Sequence, residues 1–197
     1  KTNMRGLCVG LAALDRESGS GRQQVVLAFT TAYEYFDLED MIAPAEQKDS
    51  RIVLCDGVED VHNLGSILRV AECAGADGVV IPAIKGASVT EAVIRISAGA
   101  AEHIKVAKVV SLNRAVEQLQ EAGYWVYALE AGGESIYQKD LSGKVAPIVG
   151  GEDSGVKKLT REKCDFTLSI PLRGKVNSLN ASVALGIAAY EVVKTRL

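Results

Sequence analysis

RIVLCDGVEDVHNLGSILRVAECAGADGVVIP, residues 51–82, reads as a strand, a helix and a second strand in quick succession. Ile52-Val-Leu-Cys55 is a short continuous apolar run, the pattern of a strand buried on both faces. From Asn63 to Cys73, the residues Leu64, Ile67, Leu68 and Ala71 recur at helical spacing and mark one apolar face. Gly78-Val-Val-Ile81 is the next strand, closed by Pro82. Two buried strands joined by a helix form a parallel pair, because a parallel connection needs a crossover of this length.

The alternation continues to the end of the chain. Thr90 to Ser97 reads as a short helix, Val106 to Val110 as a strand, and Leu112 to Ala122 as a helix ended by Gly123. Tyr124 to Leu129 and Ala146 to Val149 are strands, and Leu159 to Lys163 is a brief helix. Phe166 to Ile170 is a strand, and Ser178 to Thr195 is the last helix. The expected fold class is α/β, a parallel sheet covered by helices, with ligands at the carboxyl ends of the strands. Upstream, residues 37–50 read as a short acidic helix stopped by Pro44. Two short apolar runs, Leu7–Ala12 and Val25–Phe29, flank a glycine- and serine-rich turn at Arg16–Arg22.

Bulk properties narrow the function classes. A chain of 197 residues suits one large domain, or one domain with an extension. Hydrophobic residues make up 48% and charged residues 24%, so a sizeable core is available. No apolar run approaches the roughly 20 residues that span a bilayer, so the reading expects a cytoplasmic protein with no membrane partner. Cys8, Cys55, Cys73 and Cys164 form no CxxC pair and have no histidine in zinc-like register. Each lies in an apolar segment, which predicts reduced, buried cysteines and no metal site.

The formal net charge of −3 argues against a nucleic-acid binder driven by bulk charge. Its distribution is uneven. Acids crowd residues 34–60, whereas residues 157–175 carry Lys157, Lys158, Arg161, Lys163, Arg173 and Lys175 against only Glu162 and Asp165. A basic flank of this kind is a place where a polyanion can bind.

Three segments carry the candidate chemistry. In His62-Asn-Leu-Gly-Ser-Ile-Leu-Arg69, Asn63 occupies an N-cap-like position, Gly65 permits close approach to the first turn, and Arg69 lies off the apolar face. In Ile148-Val-Gly-Gly-Glu-Asp-Ser-Gly155, a strand runs into paired glycines with Glu152 behind them. That segment lacks both GxGxxG and GK[ST], so neither a dinucleotide fingerprint nor a P-loop is present. In Ile170-Pro-Leu-Arg-Gly-Lys-Val-Asn-Ser-Leu-Asn-Ala-Ser182, Pro171 and Gly174 make a bend, and Asn177 or Ser178 caps the last helix. Ser178 and Asn180 place a hydroxyl and an amide near that helix start. Ala181, Ser182, Ala184, Gly186, Ala188 and Ala189 make the helix unusually small-sided.

Together these segments closely resemble the three signature motifs of the SpoU (TrmH-like) branch of the SPOUT RNA methyltransferases, in the same order and with the same spacing. Asn63 and Arg69 fall on the first motif, Gly150, Gly151 and Glu152 on the second, and Ile170, Gly174, Ser178, Leu179 and Asn180 on the third. The resemblance covers about residues 51–197. It implies a fold whose C-terminal part passes through a loop to form a deep trefoil knot, and a homodimer with the last helix at the interface.

It implies S-adenosylmethionine as cofactor, held by Gly150, Gly151, Ile170 and Leu179 with Leu129 and Ala131 after the preceding strand, and no metal. The implied reaction is methyl transfer to a nucleoside 2′-hydroxyl, guanosine included, in structured RNA, with 23S-type ribosomal RNA ahead of transfer RNA. Arg69 would serve the ribose hydroxyl or the RNA phosphate, with Asn63, Glu152, Ser178 and Asn180 as the rest of the catalytic set. Arg173 and Lys175 join Arg69 as expected RNA contacts. Because Lys1 rather than Met opens the chain, residues 1–50 are expected to be an extension or linker following an N-terminal RNA-binding domain, with the methyltransferase domain at 51–197. The competing class is a noncatalytic RNA-binding or ribosome-assembly factor that keeps the knotted fold.

Overall fold

The computed structural model describes residues 33–44, 46–152 and 154–195. The two N-terminal apolar runs, the glycine-serine turn and Cys8 lie outside those residues. Six strands are described: β1 (Ser50–Asp56), β2 (Gly78–Pro82), β3 (Lys105–Val109), β4 (Trp125–Ser135), β5 (Lys144–Gly150) and β6 (Phe166–Ser169). They form one sheet in the order β3-β2-β1-β5-β4-β6, and every pairing is parallel. Helices α1 (Val61–Cys73), α2 (Glu91–Ile96), α3 (Leu112–Glu121), α4 (Lys158–Lys163) and α5 (Ala181–Lys194) connect or follow the strands. The expected α/β class is the observed one.

Strand alternation divides the core between the two sheet faces. Ile52, Leu54, Val126, Ala128, Ala146 and Ile148 pack on one face against Ala115, Val116 and Leu119 of α3. Tyr127, Val145 and Leu168 point to the other face, where Ala188 and Val192 of α5 cover them. In α1, the predicted face of Leu64, Ile67, Leu68 and Ala71 is fully buried.

Gly65 answers to a neighbouring helix rather than to a ligand. A Cβ there would stand 2.6 Å from Ile96 Cγ2 and 3.2 Å from the Val93 carbonyl, so glycine is what lets α2 seat against α1. Gly65→Ala is expected to cost about 1–3 kcal/mol, read as a lower urea midpoint with unchanged slope.

Several local expectations are corrected. Residues 37–50 do not form an acidic helix; only Leu38–Asp40 makes a single 3-10 turn before the chain extends into β1. The carbonyls a helix would have used are taken by lysines: Lys105 Nζ donates to Asp40, and the buried Lys144 Nζ donates to Ala43 and Pro44 at 3.1 and 2.8 Å. The cap of α1 is Asp60, not Asn63; its carboxylate accepts from the backbone N–H groups of His62 and Asn63. The last helix starts at Ala181 and is capped by Asn180, not by Asn177 or Ser178. Gly174 has no crowded neighbour and no left-handed φ, so its bend does not require glycine.

The cysteine reading is also corrected. Cys55 is buried and Cys164 partly buried, but Cys73 at the end of α1 is exposed. Burial, and next the charge of Asp56, push the Cys55 thiol up to about 12. Burial, then Asp165 and Asp56, do the same for Cys164. Since the thiolate is the reactive form, a Cys8→Ser protein should be alkylated at pH 8 at Cys73 first, with Cys55 and Cys164 protected until unfolding. Mass mapping of iodoacetamide adducts checks this.

Candidate active site

The carboxyl ends of β4, β5 and β6 open into a cavity of about 500 Å³, where a parallel α/β sheet was expected to place its ligand. β5 supplies Val149 and Gly150 to its wall, and the turn beyond supplies Gly151, Glu152, Ser154 and Gly155. That turn is tight. Gly151 N–H donates to the Asp56 carbonyl, and Gly155 N–H donates back to Gly151.

The paired glycines have a backbone reason. A Cβ on Gly150 would fall on the carbonyl group of Gly155 and the nitrogen of Val156, and one on Gly151 would fall on the Gly57 carbonyl. Gly155 itself sits at φ +60°. Three backbone segments therefore meet where only glycine fits. Asp56, 2% exposed at the end of β1, secures the return path: its carboxylate accepts from the Lys157 backbone at 2.9 Å and from Lys157 Nζ at 2.8 Å. A buried carboxylate with both a cation and an N–H partner is fully compensated.

β4 contributes through an irregularity. Leu129 and Glu134 both register with Leu168 of β6, so Glu130–Gly133 bulge out of the ladder. Gly132, at φ +82°, turns the bulge, and Gly133 lies directly over the Thr167 carbonyl. The bulge brings Leu129, Glu130 and Ala131 to the cavity. From the segment after β6 come Ile170, Ser178, Leu179 and Asn180.

One hydrogen-bonded chain ties the three motif segments together. The Ser182 N–H and hydroxyl both donate to Asn180 Oδ1, at 2.9 and 2.7 Å. Asn180 Nδ2 donates to Asn63 Oδ1 at 2.7 Å, and Asn63 Nδ2 donates to Glu152 Oε1 at 2.5 Å. Because Asp60 caps α1, the Asn63 side chain is free to serve this chain. Asn63 is only 4% exposed, and both its amide oxygen and its amide nitrogen have a partner. Breaking either link leaves a buried polar group unpaired, at a cost of about 1–3 kcal/mol.

Charge on the wall is one-sided. The described lining residues include two carboxylates, Glu130 and Glu152, and no lysine, arginine or histidine. Such a cavity disfavours a phosphate-bearing nucleotide and favours a nucleoside-sized ligand that carries positive charge. Among the described residues, no group of three His, Cys, Asp or Glu side chains is gathered as a metal would need.

The structure thus brings together Leu129, Ala131, Gly150, Gly151, Glu152, Ile170, Ser178, Leu179 and Asn180 on one cavity, with Asn63 hydrogen-bonded behind it. It does not bring Arg69, Arg173 or Lys175 to that wall. All three are exposed, Arg69 on α1 and the other two on the extended segment before α5. The wider basic flank is partly neutralised, since Lys157 pairs with Asp56, Lys158 with Glu162 and Lys163 with Glu117. Glu130 escaped the sequence reading, which quoted Ser154 and Gly155 in the glycine segment without giving them a site role. The signal for Glu130 was its place directly after the apolar run of β4, at a strand's carboxyl end.

The SpoU rRNA methylase family model matches residues 50–190. The chain belongs to this family. The SpoU chain is 43% identical over 180 residues to YacO of Bacillus subtilis, which is named for the TrmH family of tRNA/rRNA methyltransferases; the match covers 90% of this chain and 72% of YacO. Its fold superposes on the SpoU methyltransferase AviRb of Streptomyces viridochromogenes, solved in complex with AdoMet, with a TM-score of 0.73 and 28% identity over 80% of this chain and 61% of AviRb. A structure described as giving insight into 2-OH methylation of C/U34 on tRNA matches with a TM-score of 0.67 and 26% identity, over 76% of this chain and 97% of that one. The chain therefore spans less than two thirds of AviRb.

Proposed function

We propose that this SpoU-family protein is an S-adenosylmethionine-dependent methyltransferase that modifies a ribose 2′-hydroxyl in structured RNA, ribosomal RNA ahead of transfer RNA. The observation that carries the reading is the Ser182–Asn180–Asn63–Glu152 chain of hydrogen bonds on the wall of a cavity without cations. A cavity with apolar walls and two carboxylates suits a nucleoside bearing a sulfonium and an ammonium group, and the AdoMet complex of AviRb supports that choice. Leu129, Ala131, Gly150, Gly151, Ile170 and Leu179 would hold the cofactor. The family description favours ribosomal RNA, and the structure concerned with C/U34 supports the ribose hydroxyl as acceptor.

When bound, AdoMet would supply an electrophilic methyl group for the ribose 2′-oxygen, leaving as S-adenosylhomocysteine, with the hydroxyl proton released to water. The protein's own part is orientation and charge. Asn63 and Asn180 fix the carboxylate of Glu152 at the cavity wall, and Ser178 adds a hydroxyl-bearing residue to the same lining. Arg69 acts through the planar cationic fork of a guanidinium, on the RNA phosphate and on negative charge developing at the 2′-oxygen, rather than as a base. Arg173 and Lys175, exposed and without an ion pair among the described residues, add phosphate contacts. In this reading the extended segment Pro171–Asn180 is the part that passes through the knot. The partly exposed Val183 and Tyr190 of α5 face a second copy in a homodimer. The working compartment is the cytoplasm, and no described helix is long and apolar enough to cross a membrane.

Incubation with methyl-labelled AdoMet and total undermethylated RNA tests the activity. Label should enter RNA. Cofactor binding without transfer to any RNA would replace the enzyme with a noncatalytic RNA-binding or assembly factor.

A further inference from the structure

We infer that Glu130 is a cofactor-binding residue with two separate duties: one carboxylate oxygen fastens the glycine turn, and the other accepts a hydrogen bond from a ribose hydroxyl of the cofactor. The inference rests on the cavity holding an adenosyl cofactor, as proposed above.

The first duty is visible in the geometry. Glu130 stands in the β4 bulge, and its Oε1 accepts from the Val156 backbone N–H. A Cβ on Gly155 would strike this carboxylate, so the left-handed Gly155 is shaped around it. Two loops from different strands therefore clamp the side chain at the cavity. Among the described residues the second oxygen, Oε2, receives no hydrogen bond. A carboxylate offers about four acceptor sites, and one N–H does not account for them.

The second duty follows from where Glu130 stands on the cavity wall. The polar chain that would meet the RNA ends at Glu152, beyond β5, and runs back to α1 after β1. Sheet order places β4 and β6 on the far side of β5 from β1. A ligand with its reacting sulfur beside Glu152 must extend its nucleoside toward β4 and β6. There the wall carries the apolar Leu129, Leu168, Ile170 and Leu179, with the neutral Asn177 and Ser178 beside Leu179 and Glu130 as its carboxylate. An adenine ring fits such a surface, but a vicinal diol next to it needs an acceptor, and a fixed carboxylate is the strongest available. Glu130 is the one charged side chain on that part of the described wall.

Glu130→Gln separates the two duties. Its amide oxygen can still accept from Val156, while the amide nitrogen replaces the free acceptor with a donor. We expect Glu130→Gln to keep the wild-type unfolding midpoint and to bind S-adenosylhomocysteine about tenfold more weakly by calorimetry. Wild type should also bind the 2′,3′-dideoxyadenosyl analogue of S-adenosylhomocysteine about tenfold more weakly than the parent, and Glu130→Gln should bind the two equally. Equal affinity of wild type and Glu130→Gln for the parent would overturn the assignment, as would wild type that does not distinguish the two ligands. Should the variant unfold, the wild-type comparison alone decides, because indifference to the hydroxyls overturns the inference. Wild type that binds neither ligand would remove the cofactor reading itself, and the role of Glu130 with it.

Discussion

Gly150→Ala should abolish cofactor binding and lower stability by about 3 kcal/mol, at the upper end of the usual overpacking range. The new Cβ would lie on the backbone of Gly155 and Val156, and backbone cannot yield as the tip of a flexible side chain can. Relief requires the turn from Gly151 to Gly155 to move outward. That turn carries Glu152 and, through Val156, the contact to Glu130. Its far end is pinned by the Asp56–Lys157 pair, so the displacement cannot be absorbed downstream. The expected result is a lower urea midpoint together with undetectable AdoMet binding by calorimetry. Gly174→Ala, at a glycine with open space around it, serves as the control and should leave stability unchanged. Normal AdoMet affinity in Gly150→Ala would mean that the cavity between β4, β5 and β6 is not the cofactor site.

Arg69→Ala should show the opposite pattern, with AdoMet affinity and stability retained and turnover reduced about 10²–10³-fold, the size of effect seen when one donor to developing charge is removed. The separation follows from placement. Arg69 does not line the cavity, and its side chain is exposed on α1 away from the buried face of Leu64, Ile67, Leu68 and Ala71. In the proposed mechanism it therefore acts on bound RNA and not on the cofactor. Lysine at this position keeps the charge but loses the planar fork, so Arg69→Lys should recover part of the lost rate without matching wild type. Single-turnover kinetics at saturating AdoMet measure the effect, and an unchanged rate in Arg69→Ala would take Arg69 out of the mechanism.

The parallel sheet was legible because its strands are buried on both faces and so read as unbroken apolar runs, as in Ile52–Cys55 and Gly78–Ile81. The cavity was legible because such a sheet gathers its loops at the carboxyl ends, and the glycine pair and Ser178–Asn180 both fall there. The β4 bulge was not legible. Glu-Ala-Gly-Gly-Glu-Ser, residues 130–135, has the composition of a loop, and only pairing with Leu168 and Ser169 restores it to the sheet. Glu130 was lost with it.

The caps failed for a related reason. Asp60 and Asn63 are both capping residues by type, and what decides between them is a pair of long-range partners, Glu152 and Asn180. No local pattern around Asn63 announces hydrogen bonds to residues 89 and 117 positions away. The acidic stretch before β1 misled in the same way, since its helix-like composition gives way to the buried Leu38 and Met41 and to lysines that claim its carbonyls.

The central claim is that the methyl group goes from AdoMet to a ribose oxygen, and alkaline hydrolysis of the labelled RNA tests it most directly. Alkali cleaves RNA through the free 2′-hydroxyl, so a 2′-O-methylated nucleotide stays joined to its 3′ neighbour. The account predicts that label incorporated by the wild-type protein runs as alkali-resistant dinucleotides, and that Arg69→Ala yields far less of them. Label released in mononucleotides, on the base, would contradict it.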